Sequence, residues 1–327
     1  MSRVVTAVAA LALLAMVAAP VHATDPEFGV YLRLVDAAPG DFEAMVAAVG
    51  PAIDRAGWKL VASYDASCDC RFRARVFVVH PPAYAAAVLA LGSRAAFALP
   101  LRLAVFEDEP GVHLAAVNPQ SIARTIVAET GFETPPAELV AALTRMVSSG
   151  FPGTPVLEQF GQLRSKGRIE KTMGIVAGGP FATKIETVAA VRGKSPAEVA
   201  DRVSARAKSA AGRWGLRPVY RLDLPEQGVV LLGLTGAAME ARAFGIVGAG
   251  GDAKRNGYAC PGVDHAAAFP VELLIVQEGT EVKVLLIDEM FRMKLYFEDA
   301  GRMKFAANMQ MPGSIEAELR DLLEDDT

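Results

Sequence analysis

Three cysteines are the residues of this chain best suited to redox or metal chemistry. Cys68 and Cys70 are separated by a single residue, and Cys260 lies far along the chain. An odd number leaves at least one thiol without an intramolecular partner. The spacing is not the C-x-x-C of a thioredoxin site, and a bridge across one residue would be strained. The sequence leaves open a bridge from Cys260 to Cys68 or to Cys70, or three unpaired surface thiols.

Methionines form a second group with possible chemistry, because five of the eleven lie close to the C-terminal end. Met290 and Met293 are spaced to share one face of a helix, and Met309 and Met311 would share a face of an extended segment. Thioethers are soft ligands that select Cu(I). These four are therefore candidate metal ligands, with copper as the candidate ion. The alternative is that they fill gaps in an apolar core, as methionine commonly does.

Residues for acid-base or nucleotide chemistry are scarce. His80, His113 and His265 lie outside the first 23 residues and have no G-x-S-x-G motif to accompany them. Gly248–Ala253 formally fits G-x-G-x-x-A, but the residues that follow do not favour the helix which that fingerprint needs. We expect a surface loop there and structural histidines. No catalytic residue is assigned, and the sequence favours a role other than catalysis.

The first 23 residues are predicted to be a secretory signal peptide. Arg3 precedes an apolar run, Pro20 follows it, and Val21-His22-Ala23 offers small residues for cleavage. The run is shorter than the ~20 residues that span a bilayer, and no later segment predicts a membrane span. We expect a periplasmic or secreted protein, in a compartment where disulfides persist.

The composition excludes several classes of protein. The chain has 327 residues, of which 52% are hydrophobic and 21% charged, which argues against intrinsic disorder. A formal net charge of −4 argues against nucleic acid as a partner, since nucleic-acid binding usually requires a basic surface. The length favours two domains.

An internal repeat supports that division. Each half has the pattern strand, helix, strand, strand, helix, strand, strand, helix, and Leu99-Pro100 corresponds to Phe269-Pro270 at a constant offset. The pattern predicts an α+β protein with a first domain at residues 24–149 and a second at 185–327. A linker rich in Gly and Pro is predicted at 150–184.

Several short motifs resemble the bacterial domain-of-unknown-function 302 family. They are Gly57-Trp58, His80-Pro81-Pro82, the segment beginning at Leu99-Pro100, and Val117-Asn118-Pro119. The resemblance covers about Glu27 to Val127 well and about Ile185 to Leu323 more weakly. It implies two tandem copies of a small antiparallel sheet packed with helices, in which the Leu-Pro pair begins a central strand. The family has no established activity, so the resemblance implies no site residue.

These observations favour an exported accessory or binding protein. Its partner is predicted to be a small molecule, a metal ion or another periplasmic protein. The alternative is a periplasmic protein that handles copper or haem with Met, His and Cys ligands.

Overall fold

The computed structural model describes residues 25–127, 131–171 and 177–323. The predicted signal peptide lies outside these ranges. Among the described helices, none is long and apolar enough to cross a membrane.

Among the described residues, the first half of the chain forms a six-stranded antiparallel sheet with four longer helices and one short helix. The strand order is β2-β3-β4-β5-β1-β6. The elements are β1 (Phe28–Ala37), α1 (Phe42–Arg55), β2 (Lys59–Ala66), β3 (Ala74–His80), α2 (Pro82–Leu89), a 3-10 segment (Ser93–Ala98), β4 (Leu101–Glu107), β5 (Val112–Val117), α3 (Pro119–Ile126), α4 (Thr134–Val147), β6 (Thr154–Arg164) and α5 (Arg168–Lys171).

The second half forms a five-stranded antiparallel sheet with the order β8-β9-β10-β11-β7. Its elements are β7 (Ile185–Arg192), α6 (Pro196–Ser209), β8 (Arg217–Leu224), β9 (Val229–Thr235), α7 (Ala237–Val247), a 3-10 segment (Pro261–Ala268), β10 (Val271–Glu278), β11 (Glu281–Ile287), α8 (Glu289–Phe297), α9 (Arg302–Ala307) and α10 (Gln310–Asp321).

The two sheets have the same strand order when β1 is matched with β7 and β2 through β5 with β8 through β11. In both halves the strand after the X-Pro pair is central and buried along most of its length, because apolar residues line both of its faces. The expected α+β fold with two antiparallel sheets packed with helices is confirmed.

Residues 150–184 contribute more than the connection predicted for them. Thr154–Arg164 forms β6, which pairs antiparallel with β1 and extends the first sheet at its edge. Pro155 fits this position because an edge strand can lose one backbone donor. Leu157, with φ 52°, and Gly161, with φ 76°, interrupt the regular strand conformation.

The two halves share one apolar core. Each 3-10 segment packs against the central strand of the other half, so that Ser93–Ala98 contacts β10 and Pro261–Ala268 contacts β4. These contacts across the boundary bring the loop between β2 and β3 close to the residues before Pro261.

Candidate functional site

The three cysteines meet where the two halves join. Cys70, in the loop between β2 and β3, forms a disulfide with Cys260, which directly precedes the 3-10 segment. The bridge joins residues 190 positions apart, with Cα atoms 6.3 Å apart. Cys68 is a free thiol whose Sγ lies 3.2 Å from Cys70 Sγ. All three sulfur atoms lie within 4.8 Å of one another, and all three residues are half-buried.

The Cys68 thiol is held by its own loop. Its Sγ donates a hydrogen bond to the carbonyl oxygen of Phe72 at 2.9 Å. Burial raises the pKa of Cys68, and the carboxylates of Asp69 and Glu240 also raise it. The neutral thiol is therefore the main form near neutral pH.

Glu240 of α7 connects this loop to the second half. Its carboxylate accepts hydrogen bonds from the backbone N–H of Ser67 at 2.7 Å and from Thr235 Oγ1 at 2.7 Å. The residue is 1% exposed, and burial raises its pKa to about 7 despite these two hydrogen bonds. No pattern in the sequence indicated this role, because an acidic residue near the start of a helix is usually solvated.

Two of the three histidines are buried between pairs of carboxylates. His113 Nδ1 lies 2.6 Å from Asp36 Oδ1, and its Nε2 lies 2.8 Å from Asp108 Oδ1. His265 Nδ1 lies 2.6 Å from Asp264 Oδ1, and its Nε2 lies 3.1 Å from Asp299 Oδ2. Burial lowers the pKa of His265, but the charges of Asp299 and Asp264 outweigh burial and raise it to about 10.

Arg255 joins the two histidine groups across the boundary between the halves. Its Nη1 lies 2.5 Å from Asp264 Oδ2, and its Nη2 lies 3.3 Å from Asp108 Oδ2. Each charge in this row has an opposite charge beside it, and the row links the two halves. His80 lies at the end of β3, where burial lowers its pKa.

A large groove opens beside this charged row, with a volume of about 960 Å³. Arg168 and Lys171 of α5 and Arg302 of α9 lie along it. Among the side chains that the structure describes, none of these three cations has a carboxylate partner. The Nε of Arg168 is buried and has no hydrogen-bond partner. Apolar side chains of Leu163, Phe305 and Met309 complete the lining.

The acidic residues of the groove are already neutralised. Asp299 pairs with His265, and Glu298 Oε2 accepts a hydrogen bond from Arg164 Nε at 2.9 Å. The excess charge that faces the groove is therefore positive.

The glycine loop between α7 and the 3-10 segment packs against protein rather than around a phosphate. A Cβ on Gly250 would lie 2.2 Å from Asp299 Oδ2, and the Gly251 backbone donates a hydrogen bond to Asp299. A short 3-10 turn at Ala253–Arg255 follows the loop, and no α-helix begins there.

The structure places the four candidate methionines in different surroundings. Met293 and Met311 line a small apolar space beneath α8 and α10, and half-buried Met290 packs against the core. Met309 is 43% exposed and lies beside the large groove. The segment around Met309 and Met311 is helical, because α10 begins at Gln310, so the extended geometry that would place both on one face does not form.

A known family of domains matches the part of the chain that carries the motifs noted in the sequence. Residues 36–150 match the family model "Domain of unknown function DUF302". Residues 36–150 are therefore similar to DUF302 domains. The resemblance is thus confirmed for this part of the chain, and the matched range includes β2 through β5 and the loop that holds Cys68 and Cys70.

One solved structure similar to this chain is that of an uncharacterised conserved DUF302 protein from Bacillus stearothermophilus. The two chains are 13% identical, with a TM-score of 0.33, and the match covers 36% of this chain and 96% of that one. No curated protein matches the chain.

Proposed function

We propose that this protein is exported and binds a small anionic molecule with an apolar portion, without transforming it. The groove beside α5 and α9 carries the proposal. Its volume lies in the range of small-molecule sites, which are commonly apolar with a few placed polar groups.

The charges of the groove argue for an anion. Three cations line it without carboxylate partners among the described side chains, and the buried Nε of Arg168 makes no hydrogen bond there. A carboxylate or phosphate group would satisfy these donors in charge-assisted hydrogen bonds. Leu163, Phe305 and Met309 offer an apolar surface for the remainder of such a ligand.

Binding of octyl phosphate, followed by calorimetry, tests the site. We expect Arg168→Ala combined with Arg302→Ala to weaken binding about tenfold or more, since a hydrogen bond to a charged group contributes about 1.5–3 kcal/mol. Lys194→Ala combined with Lys208→Ala is the matched control, because both lysines are exposed and lie outside the groove. Equal affinities of the two double variants would contradict the proposal.

The sequence of residues 1–23 supports export. The disulfide is consistent with export, because disulfides form and persist in oxidising compartments. Mass spectrometry of the protein from the producing cell should find an N-terminus at Thr24. Intact Met1 in a membrane fraction would instead indicate an anchor.

Copper handling is a second candidate function, favoured by the three clustered sulfur atoms. Thiolates select Cu(I), and the cluster offers three of them once the bridge is reduced. Reduced protein should then compete with a Cu(I) chelator, and Cys68→Ser should weaken that competition. Met309→Ala combined with Met311→Ala tests whether thioethers contribute. Failure of reduced wild-type protein to compete would exclude copper and leave the anion groove unaffected.

A further inference from the structure

The free thiol of this protein lies directly beside its disulfide. Cys68 Sγ is 3.2 Å from Cys70 Sγ, and Cys260 Sγ is within 4.8 Å of it. Thiol-disulfide exchange requires a thiolate to reach one sulfur of a disulfide, and here the two sulfur atoms are already in contact in the folded chain.

The surrounding contacts hold this arrangement in place. Glu240 binds the backbone of Ser67, and Phe72 accepts the hydrogen bond of the Cys68 thiol. Holding two reacting groups at contact replaces a bimolecular encounter with an intramolecular step, which compensates for a weakly activated thiol.

We infer that Cys68 is the exchange thiol of the Cys70–Cys260 disulfide. Cys68 loses its proton to a solvent base, and its thiolate attacks Cys70 Sγ. The Cys68–Cys70 bond, which is strained because it spans a single residue, forms as the Cys70–Cys260 bond breaks. The electron pair leaves on Cys260 Sγ, which then takes up a proton. One disulfide and one thiol are present before and after the step, so no oxidant or reductant is consumed.

The exchange converts a bond between the halves into a bond within one loop. Other contacts keep the region around Cys260 docked in both forms. The backbone N–H of Ala259 donates to Glu109 Oε1 at 2.6 Å, and Arg255 pairs with Asp108 and Asp264. Cys68 therefore releases Cys260 as a free thiol while the two halves stay in contact.

Slow alkylation of the oxidised, metal-free, full-length protein tests the exchange. The protein is incubated with a low concentration of N-ethylmaleimide at one mildly alkaline pH, then digested and mapped by mass spectrometry. We expect label on Cys68 in some molecules and on Cys260 in others, the latter carrying a Cys68–Cys70 bridge within one peptide. Label confined to Cys68 at all times, with Cys70–Cys260 intact throughout, would overturn the inference.

Two variants provide controls. Cys68→Ser retains the bridge between the halves and should take up no label at either remaining cysteine; label on its Cys260 would show that Cys68 is not needed. Cys260→Ser, treated with diamide, should lose two hydrogens from the peptide that holds Cys68 and Cys70. If that bridge does not form in folded Cys260→Ser protein, the product of the proposed step is inaccessible and the inference fails. Neither control depends on the anion groove or on copper.

Discussion

Arg102 and Glu272 occupy the same position in the two halves, two residues after the proline that precedes each central strand, and carry opposite charges. They form an ion pair in which both side chains are at most 5% exposed, and Arg102 also donates to the hydroxyl of Tyr296. Burial lowers the pKa of Arg102, but Glu272, Tyr296 and Tyr220 together outweigh burial and raise it. Each charge is tolerated in the core because the other is present.

Removing one member of this pair should destabilise the protein strongly. We expect Glu272→Gln to lower the free energy of unfolding by about 3–5 kcal/mol, because it leaves the Arg102 charge buried and unpaired. Arg102→Met combined with Glu272→Leu should cost less than the single change. Urea unfolding of the three proteins measures both effects. A double variant less stable than Glu272→Gln would contradict this account.

Glu240 should make stability depend on pH. Its pKa in the folded protein, about 7, exceeds the ordinary 4.5, so the folded state holds the proton more tightly than the unfolded state. The stabilising contribution is complete below pH 4.5, falls as pH rises and is lost above about pH 7, a change on the order of 3 kcal/mol.

Glu240→Gln should remove this part of the pH dependence, which unfolding in urea at several pH values would measure. Glu226→Gln is the matched control, because Glu226 is exposed in the turn between β8 and β9. A profile for Glu240→Gln that parallels the wild type between pH 4.5 and 7 would show that this carboxyl does not carry the effect.

At the scale of elements, α6 begins with a clear set of N-terminal capping residues. Ser195 accepts a hydrogen bond from the backbone N–H of Glu198, and the Glu198 side chain accepts one from the backbone N–H of Ser195. Pro196 occupies the first helical position, where its missing N–H costs nothing. These contacts satisfy backbone groups that the helix itself leaves unpaired.

Loss of this cap should weaken the second half measurably. Ser195→Ala should lower the free energy of unfolding by about 1 kcal/mol, the usual effect of removing an N-cap side chain. Ser209→Ala serves as the control, since Ser209 lies exposed in the last turn of the same helix. Equal stability of the two variants, measured by urea unfolding, would mean that the cap contributes nothing.

At the scale of the whole molecule, the two sheets share one apolar core and are also joined by buried polar contacts and a disulfide. Tyr31 Oη donates to the Tyr296 carbonyl at 2.9 Å, and Lys294 Nζ donates to the Ile169 carbonyl at 2.6 Å. Both contacts join residues more than a hundred positions apart, so the arrangement of the halves depends on long-range pairing.

Removal of the Cys70–Cys260 disulfide should lower the stability of the entire chain. The bridge closes a loop of 190 residues, and the chain-entropy model assigns such a loop about 5 kcal/mol as an upper figure. Cys260→Ala should therefore unfold at lower urea concentration than Cys68→Ala, which retains the bridge. Coincident unfolding curves would show that the bridge adds no stability beyond the noncovalent contacts.

Local sequence signals are sufficient to predict many of the helices and strands of this fold. Ser195-Pro196, Asn118-Pro119 and the two X-Pro pairs act on their own neighbours, through a cap or a restricted φ, so the sequence predicted where helices and central strands begin. Alternating apolar residues likewise predicted the strands, and the constant offset between the halves agrees with their shared strand order.

The tertiary structure alone decided which side chains meet. The pairing of Cys70 with Cys260, the row of charges through Arg255 and the groove beside Arg168 each join residues distant in the sequence. Spacing along the chain carries no information about such distances, because they depend on how the two sheets pack. The same packing placed Met309 and Met311 in different surroundings, although their spacing had suggested a shared face.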